Sequence, residues 1–338
     1  MEYVKNYLNN LMKKLLQFSL FLLLSFIFLI DSGNINNSAN AATESNFKVG
    51  TTPYGLAVGK KDNVYAAISG FNNVIELNQN GKLIKNINTD WAPSGIVISK
   101  TGYVYVSTGI GNVVKLNNKG QILKKVKVGI IPAGIAVGPD GNIYVTSIHS
   151  KTVTKLSPSL TVLKIFYARI APYGIVLNDN GLIYVTNFTN KGTVTVLNKS
   201  GKIIKVFDAQ RKPEGIAIGP AGNIYVTNGL SDSVLKFNKN GKILEKINIK
   251  GAPYGIALST TGSMFVACIY ADKVVKLSRS GRVLNTYKTG KNPNFILIDD
   301  NGDVWTANSG DGTVTKISGA TKGKEFFPYK GPIWQESF

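Results

Sequence analysis

Seven triplets of the form Pro-x-Gly, or close to it, recur along the chain, beginning at Pro53, Pro93, Pro132, Pro172, Pro213, Pro253 and Pro293. The residues at x are Tyr54, Ser94, Ala133, Tyr173, Glu214, Tyr254 and Asn294. Three phenols, an amide and a carboxyl at equivalent positions can stack against and hydrogen-bond a sugar, a peptide or another small polar ligand. Three further amides, Asn187, Asn228 and Asn308, are expected at the same mouth because they end the following apolar segment of their repeats. Other reactive types are scarce. His149 is the one histidine and has Ser147, Ser150 and Lys151 as sequence neighbours, so it lacks the acid and base of a triad or metal site. Cys268 is the one cysteine and stands where other copies carry Asn, Ser or Ala, which reads as a small filler. The run Asp299-Asp300-Asn301-Gly302-Asp303 has closely spaced oxygens suited to Ca²⁺. It falls where other copies carry turns such as Asn178-Asp179-Asn180-Gly181, so it reads as a turn. No catalytic residue is assigned.

The prolines are spaced 39 to 41 residues apart. An aromatic follows twelve residues after each one: Tyr65, Tyr105, Tyr144, Tyr184, Tyr225, Phe265 and Trp305. Each repeat holds four short strand signals separated by Gly, Asn and Asp, the residues that adopt the backbone conformations of tight turns. Four strands in some forty residues, seven times over, predict an all-β fold: a seven-bladed β-propeller of four-stranded antiparallel blades. The first strand of each repeat is apolar throughout, as a strand buried on both faces must be. The fourth is rich in lysine (Lys82 and Lys85; Lys124, Lys125 and Lys127), as befits an outer edge that must not pair with another chain.

Residues 42–330 are assigned to the propeller and 331–338 to a C-terminal tail. Residues 45–50 resemble the fourth strand of a repeat that has no blade of its own. They are expected to complete the last blade, because Pro328 disfavours a paired strand in the alternative segment 324–327. Residues 1–41 have a lysine-containing start, an uncharged stretch over 15–30 and an Ala-Asn-Ala end, which read as a secretory signal peptide preceding the propeller. The stretch is short for a membrane span, and no second hydrophobic span follows it. A single cysteine fits export without disulfides and excludes Cys-rich metal centres.

The net charge of +20 draws the chain toward anionic surfaces such as a cell-wall polymer or lipid. No nucleic-acid-binding motif accompanies it, so no nucleic-acid partner is expected.

Ile-Tyr-Val-Thr-Asn occurs at 183–187 and again at 224–228, with Pro-x-Gly-Ile-Ala-Val-Gly-type segments upstream. In these motifs, over about residues 46–328, the chain resembles the YVTN and NHL-repeat propellers of secreted proteins. It is also similar to the propeller of the streptogramin (virginiamycin B) lyases. The lyase resemblance implies histidines at x in the late repeats, acids nearby and a magnesium ion. This chain departs from that pattern, with Tyr254 and Asn294 at those x positions and Asn308 where an acid would close the second strand.

The sequence therefore predicts a secreted or cell-surface-associated monomer acting as a binding or interaction scaffold. Its ligand site is expected at the channel mouth (Tyr54, Tyr173, Glu214, Tyr254, Asn294, Asn187, Asn228, Asn308), with an anionic cell-surface polymer or a protein as partner. No cofactor is required on this reading. The alternative is a lyase or lactonase dependent on a divalent cation.

Overall fold

The structure is a computed structural model and describes residues 42–321. The signal peptide expected over 1–41, the alternative closing segment 324–327 and the tail lie outside the described residues. Seven four-stranded antiparallel sheets make a seven-bladed propeller. Blades 1 to 6 span residues 53–88, 93–127, 132–167, 172–208, 213–248 and 253–288, each running in sequence order from an innermost to an outermost strand. Blade 7 is composite. Its three inner strands are Pro293–Ile298, Val304–Asn308 and Thr313–Ser318, and its outermost strand is the N-terminal Thr43–Lys48, antiparallel to Thr313–Ser318. The closing strand thus lies two residues earlier than the 45–50 expected from sequence.

Each innermost strand starts at the repeat proline. The residue before it always has a left-handed backbone: φ is +56° at Thr52, +50° at Ala92, +52° at Ile131, +48° at Ala171, and +54° at Lys212, Ala252 and Asn292. Side chains from the preceding blade hold some of these turns. Asn72 Oδ1 accepts from the Ala92 amide at 2.9 Å, and Asp232 Oδ1 accepts from the Ala252 amide at 2.9 Å.

The glycine of Pro-x-Gly answers to crowding at the axis. A Cβ on Gly174 would lie 2.4 Å from the carbonyl oxygen of Glu214 in the next blade, and one on Gly215 would lie 2.4 Å from that of Tyr254. Only glycine permits that approach. The Thr of Tyr-Val-Thr then ties the blades together. Thr186 Oγ1 accepts from the Gly174 amide at 2.8 Å and donates to the Glu214 carbonyl at 3.0 Å. Thr146 does the same between Gly134 and the Tyr173 carbonyl.

The core lies between blades. In one layer Tyr65, Val74 and Ile87 of blade 1 pack on Ile96, Val106 and Leu116 of blade 2. The layer that closes the wheel sets Leu56, Val64 and Ile75 against Leu297, Trp305 and the half-buried Phe47. The second-strand aromatics are buried, and lysines directly across the ladder lie over several of them. Lys155 Nζ is 5.3 Å from the Tyr144 ring and Lys316 Nζ is 5.1 Å from the Trp305 ring, within cation–π range.

The acidic run 299–303 is a turn with a bracing role. Asp299 Oδ1 accepts from the amides of Asn301 and Asp303, and its Oδ2 accepts from Trp305 Nε1 at 2.8 Å. Asp303 pairs with Lys316 at 2.9 Å. These oxygens are already used by the protein. Among the described residues no helix is long and apolar enough to cross a membrane.

Candidate ligand site at the channel mouth

The x residue is the second residue of its innermost strand, close to the end at which all seven innermost strands begin. We call this end the proline face. There Tyr54, Tyr173, Glu214, Tyr254 and Asn294, with Ser94 and Ala133, line one cavity on the axis. The seven-fold backbone carries side chains of very unequal size. Tyrosines come from blades 1, 4 and 6, whereas blades 2 and 3 offer only Ser94 and Ala133.

The three phenol oxygens converge. Tyr54 Oη lies 2.5 Å from Tyr254 Oη, and Tyr173 Oη is hydrogen-bonded to both. Burial raises the pKa of all three above the ordinary phenol value, so they are neutral phenols in mutual contact. The Tyr173 and Tyr254 rings meet edge to face, with centroids 6.3 Å apart. Together the tyrosines plug the axis. The remaining cavity is about 50 Å³, room for a few waters and no larger guest.

Glu214 sits in this wall and is only 7% exposed. Its Oε2 is buried and accepts no hydrogen bond from the described residues. Burial pushes its carboxyl up to about 8, against the opposing pull of the Lys212 charge. Glu214 is therefore mostly protonated at neutral pH and can donate as well as accept a hydrogen bond. The carboxyl is tucked against buried Gly229, where a Cβ would stand 2.9 Å from Oε1.

Two side chains above the plug were not anticipated from sequence. Phe188 stacks on Tyr173 with centroids 5.3 Å apart and an interplanar angle of 30°. Lys212 Nζ lies 4.1 Å from the centre of the Phe188 ring. Their sequence signal was adjacency alone, since Phe188 follows the Tyr-Val-Thr-Asn segment and Lys212 precedes Pro213. Asn294, 1% exposed, is committed to backbone: Nδ2 donates to the Pro53 carbonyl at 3.3 Å and Oδ1 accepts from the Phe295 amide at 2.5 Å.

Asn187, Asn228 and Asn308 do not line the cavity. A second strand stands about 5 Å farther from the axis than the first. Each amide is also engaged by its own blade or by the connection that leads into it. Asn187 Nδ2 donates to the carbonyls of Ala168 and Ile170, while its Oδ1 accepts from Thr193 and Thr195. Asn308 Nδ2 donates to Thr313 and Thr315, and Asn228 Oδ1 accepts from the Gln210 amide. His149 is exposed on a connection of blade 3. Cys268 is buried in blade 6, where burial pushes its thiol up to about 12. That thiol is not a nucleophile at neutral pH.

No protein-family model matches the chain, and no curated protein sequence matches it. Solved structures do. A streptogramin B lyase is 18% identical, with TM-score 0.74 over 82% of this chain and 97% of that chain. The fold is that of the streptogramin lyases. The virginiamycin B lyase of Staphylococcus aureus is likewise 18% identical, with TM-score 0.72 over 82% of this chain and 99% of its own. Hydrazine synthase of Kuenenia stuttgartiensis gives TM-score 0.72 at 15% identity, covering 84% of this chain and 99% of that one. One propeller thus carries unlike activities, so function has to be argued from the site.

The magnesium ion implied by the lyase resemblance does not suit these donors. A divalent cation wants several charged or carbonyl oxygens. The mouth offers phenols bonded to one another, an amide already engaged and one carboxyl held neutral. Among the described residues no cluster of three or more His, Cys, Asp or Glu is placed to hold a metal.

Proposed function

We propose that this protein is an exported binding propeller that takes a neutral, hydroxyl-rich ligand of the sugar class at the mouth of its channel, over the tyrosine plug. The observation that carries this reading is Glu214: a buried carboxyl, neutral at physiological pH, with one oxygen unpartnered beside three phenols. A sugar seated over the plug can hydrogen-bond Glu214 through the waters that the cavity admits, beside Phe188, whose ring stacks on Tyr173 and lies under the Lys212 ammonium. The leader at 1–41 and the net charge of +20 support a cell-surface setting with an anionic polymer or a protein as neighbour.

Calorimetric titration with neutral mono- and oligosaccharides tests the reading. Wild-type protein binds at least one of them at neutral pH. Glu214→Gln, a neutral stand-in, keeps most of the affinity, whereas Glu214→Ala loses about ten-fold, the value of one good hydrogen bond. If no saccharide binds, or if Glu214→Ala binds as well as wild type, the proposal fails.

A second reading, a propeller lyase or lactonase, draws on the fold likeness and on a carboxyl near 8, a range suited to general acid work. It predicts conversion of quinupristin, the compound bound to an inactive virginiamycin B lyase variant among the similar structures, with the conversion lost in Glu214→Gln. On the binding reading no conversion is expected, because the chain's one imidazole, His149, is an exposed loop residue away from the cavity lining.

A further inference from the structure

The two ends of the propeller differ chemically. Connections at the proline face join the second strand to the third, and each outermost strand to the next blade. They expose Phe71 (59%), Trp91 (61%), Ile130 (60%), Ile170 (56%), Leu230 (49%) and Tyr270 (75%). These residues belong to, or lie between, blades 1 to 6, so they form an arc around the channel mouth rather than a single groove. Among the described residues, no connection at the opposite end exposes a large apolar side chain. Those are turns such as Asn78-Gln79-Asn80-Gly81 and Asn238-Lys239-Asn240-Gly241. Ile110 and Ile131, 44% and 41% exposed, belong to connections of the proline face as well, and the other exposed apolar side chains lie on the outermost strands, spread around the rim among lysines.

Charge on the proline face is net basic: with the half-buried Lys212 its connections carry seven cations against the four carboxylates of Asp90, Asp232, Asp272 and Asp311. The other six cations are Lys151, Arg169, Lys191, Arg211, Lys250 and Lys291, all exposed. Among the described residues none of these six forms an ion pair. The acids on the same connections are already engaged. Asp90 binds Lys125 and Asn112, and Asp311 binds the Lys291 amide and Thr313. Asp232 and Asp272 hold the left-handed turns at Ala252 and Asn292. The face therefore carries exposed aromatic and branched side chains together with cations that make no ion pair among the described residues.

We propose that the proline face docks on an anionic lipid bilayer, with the apolar side chains entering the interface and the six cations meeting lipid phosphates. Trp and Tyr are the residues that favour the boundary between headgroups and acyl chains, and basic residues beside inserted apolar groups select anionic lipid. A soluble anionic polymer would use the cations and leave Trp91, Ile130, Ile170 and Tyr270 in water. A bilayer uses both sets, which is why lipid is favoured. The proposal goes beyond the channel-mouth reading; it uses the same face but is tested separately, because none of these residues lines the cavity.

The test is flotation of the protein with phosphatidylcholine vesicles, with and without one third phosphatidylglycerol, read together with Trp91 emission. The expected result is binding to the anionic vesicles with a blue shift, and much weaker binding to pure phosphatidylcholine. The exposed triple variant Trp91→Ser/Ile130→Ser/Tyr270→Ser should bind anionic vesicles at least ten-fold more weakly. Lys191→Glu/Lys250→Glu should lose the preference for anionic lipid, whereas the rim variant Lys124→Glu/Lys164→Glu should bind as wild type. The proposal is overturned if wild type does not float with anionic vesicles. It is also overturned if the apolar triple variant floats as well as wild type, or if the rim variant loses binding as fully as the face variant, since rim charge alone would then be responsible. A soluble polyanion that binds wild type and the apolar triple variant equally, with no vesicle binding, would assign the face to a polymer instead.

Discussion

Glu214 is the residue on which most rests. In the unfolded chain its carboxyl titrates near 4.5, and in the folded protein burial holds it near 8. Between these values the native state keeps a proton that the unfolded state has released, so stability is greatest below the lower value and falls as pH rises through the upper one. The loss amounts to on the order of a few kcal/mol, and thermal or urea unfolding of wild type against Glu214→Gln will show it. Wild type should lose stability between those two pH values, while the variant stays flat and is the more stable of the two in alkali. A second residue-scale test concerns the axis. Gly215→Ala sets a methyl 2.4 Å from the Tyr254 carbonyl, so a loss of about 2–4 kcal/mol is expected in denaturant titration. Ala171→Gly relieves a φ of +48° and should gain about 0.5–1 kcal/mol if the native turn is otherwise unchanged.

At the scale of elements, the strands and their order could be read from sequence because three registers repeat seven times, with proline, aromatic and apolar residues each fixed in place. The x residues could be read as a group for the same reason. The role of the second-strand ends could not. Side chains alternate along a strand, so Thr186 faces the next blade, where it bridges Gly174 and Glu214, while Asn187 faces the other way and ties down the loop at Ala168 and Ile170. Motif position alone does not show which member of a Thr-Asn pair faces a site. Phe188 and Lys212 were missed because they come from two connections in different repeats, and only the folded wheel brings them together. The left-handed residue before each proline left no trace either, because Thr, Ala, Ile, Lys and Asn all occupy it. The Thr bridge makes its own prediction. Thr186→Val leaves the Gly174 amide and the Glu214 carbonyl without their partner and should cost about 1–3 kcal/mol, measured by urea unfolding.

At the scale of the whole molecule, closure depends on one strand. Thr43–Lys48 supplies the outer edge of blade 7, and Phe47 packs 6.0 Å from Trp305 in the layer joining the last blade to the first. Each blade buries its faces only against its neighbours, so a gap at this seam exposes two blades at once. A chain lacking residues 43–48 should show a lower and broader melting transition than the intact protein, with early loss of Trp305 burial seen as a red shift in emission. A melt as sharp and as high as that of the intact chain would mean that the seam does not need this strand.

The neutral carboxyl beside the phenol plug can be observed by carbon-13 NMR of side-chain carboxyls. With labelled glutamate, and Glu214→Gln to identify the signal, the Glu214 resonance should titrate with a midpoint near 8. A midpoint near 4.5 would mean a solvated, charged carboxylate at the mouth, and the binding site described here would not exist.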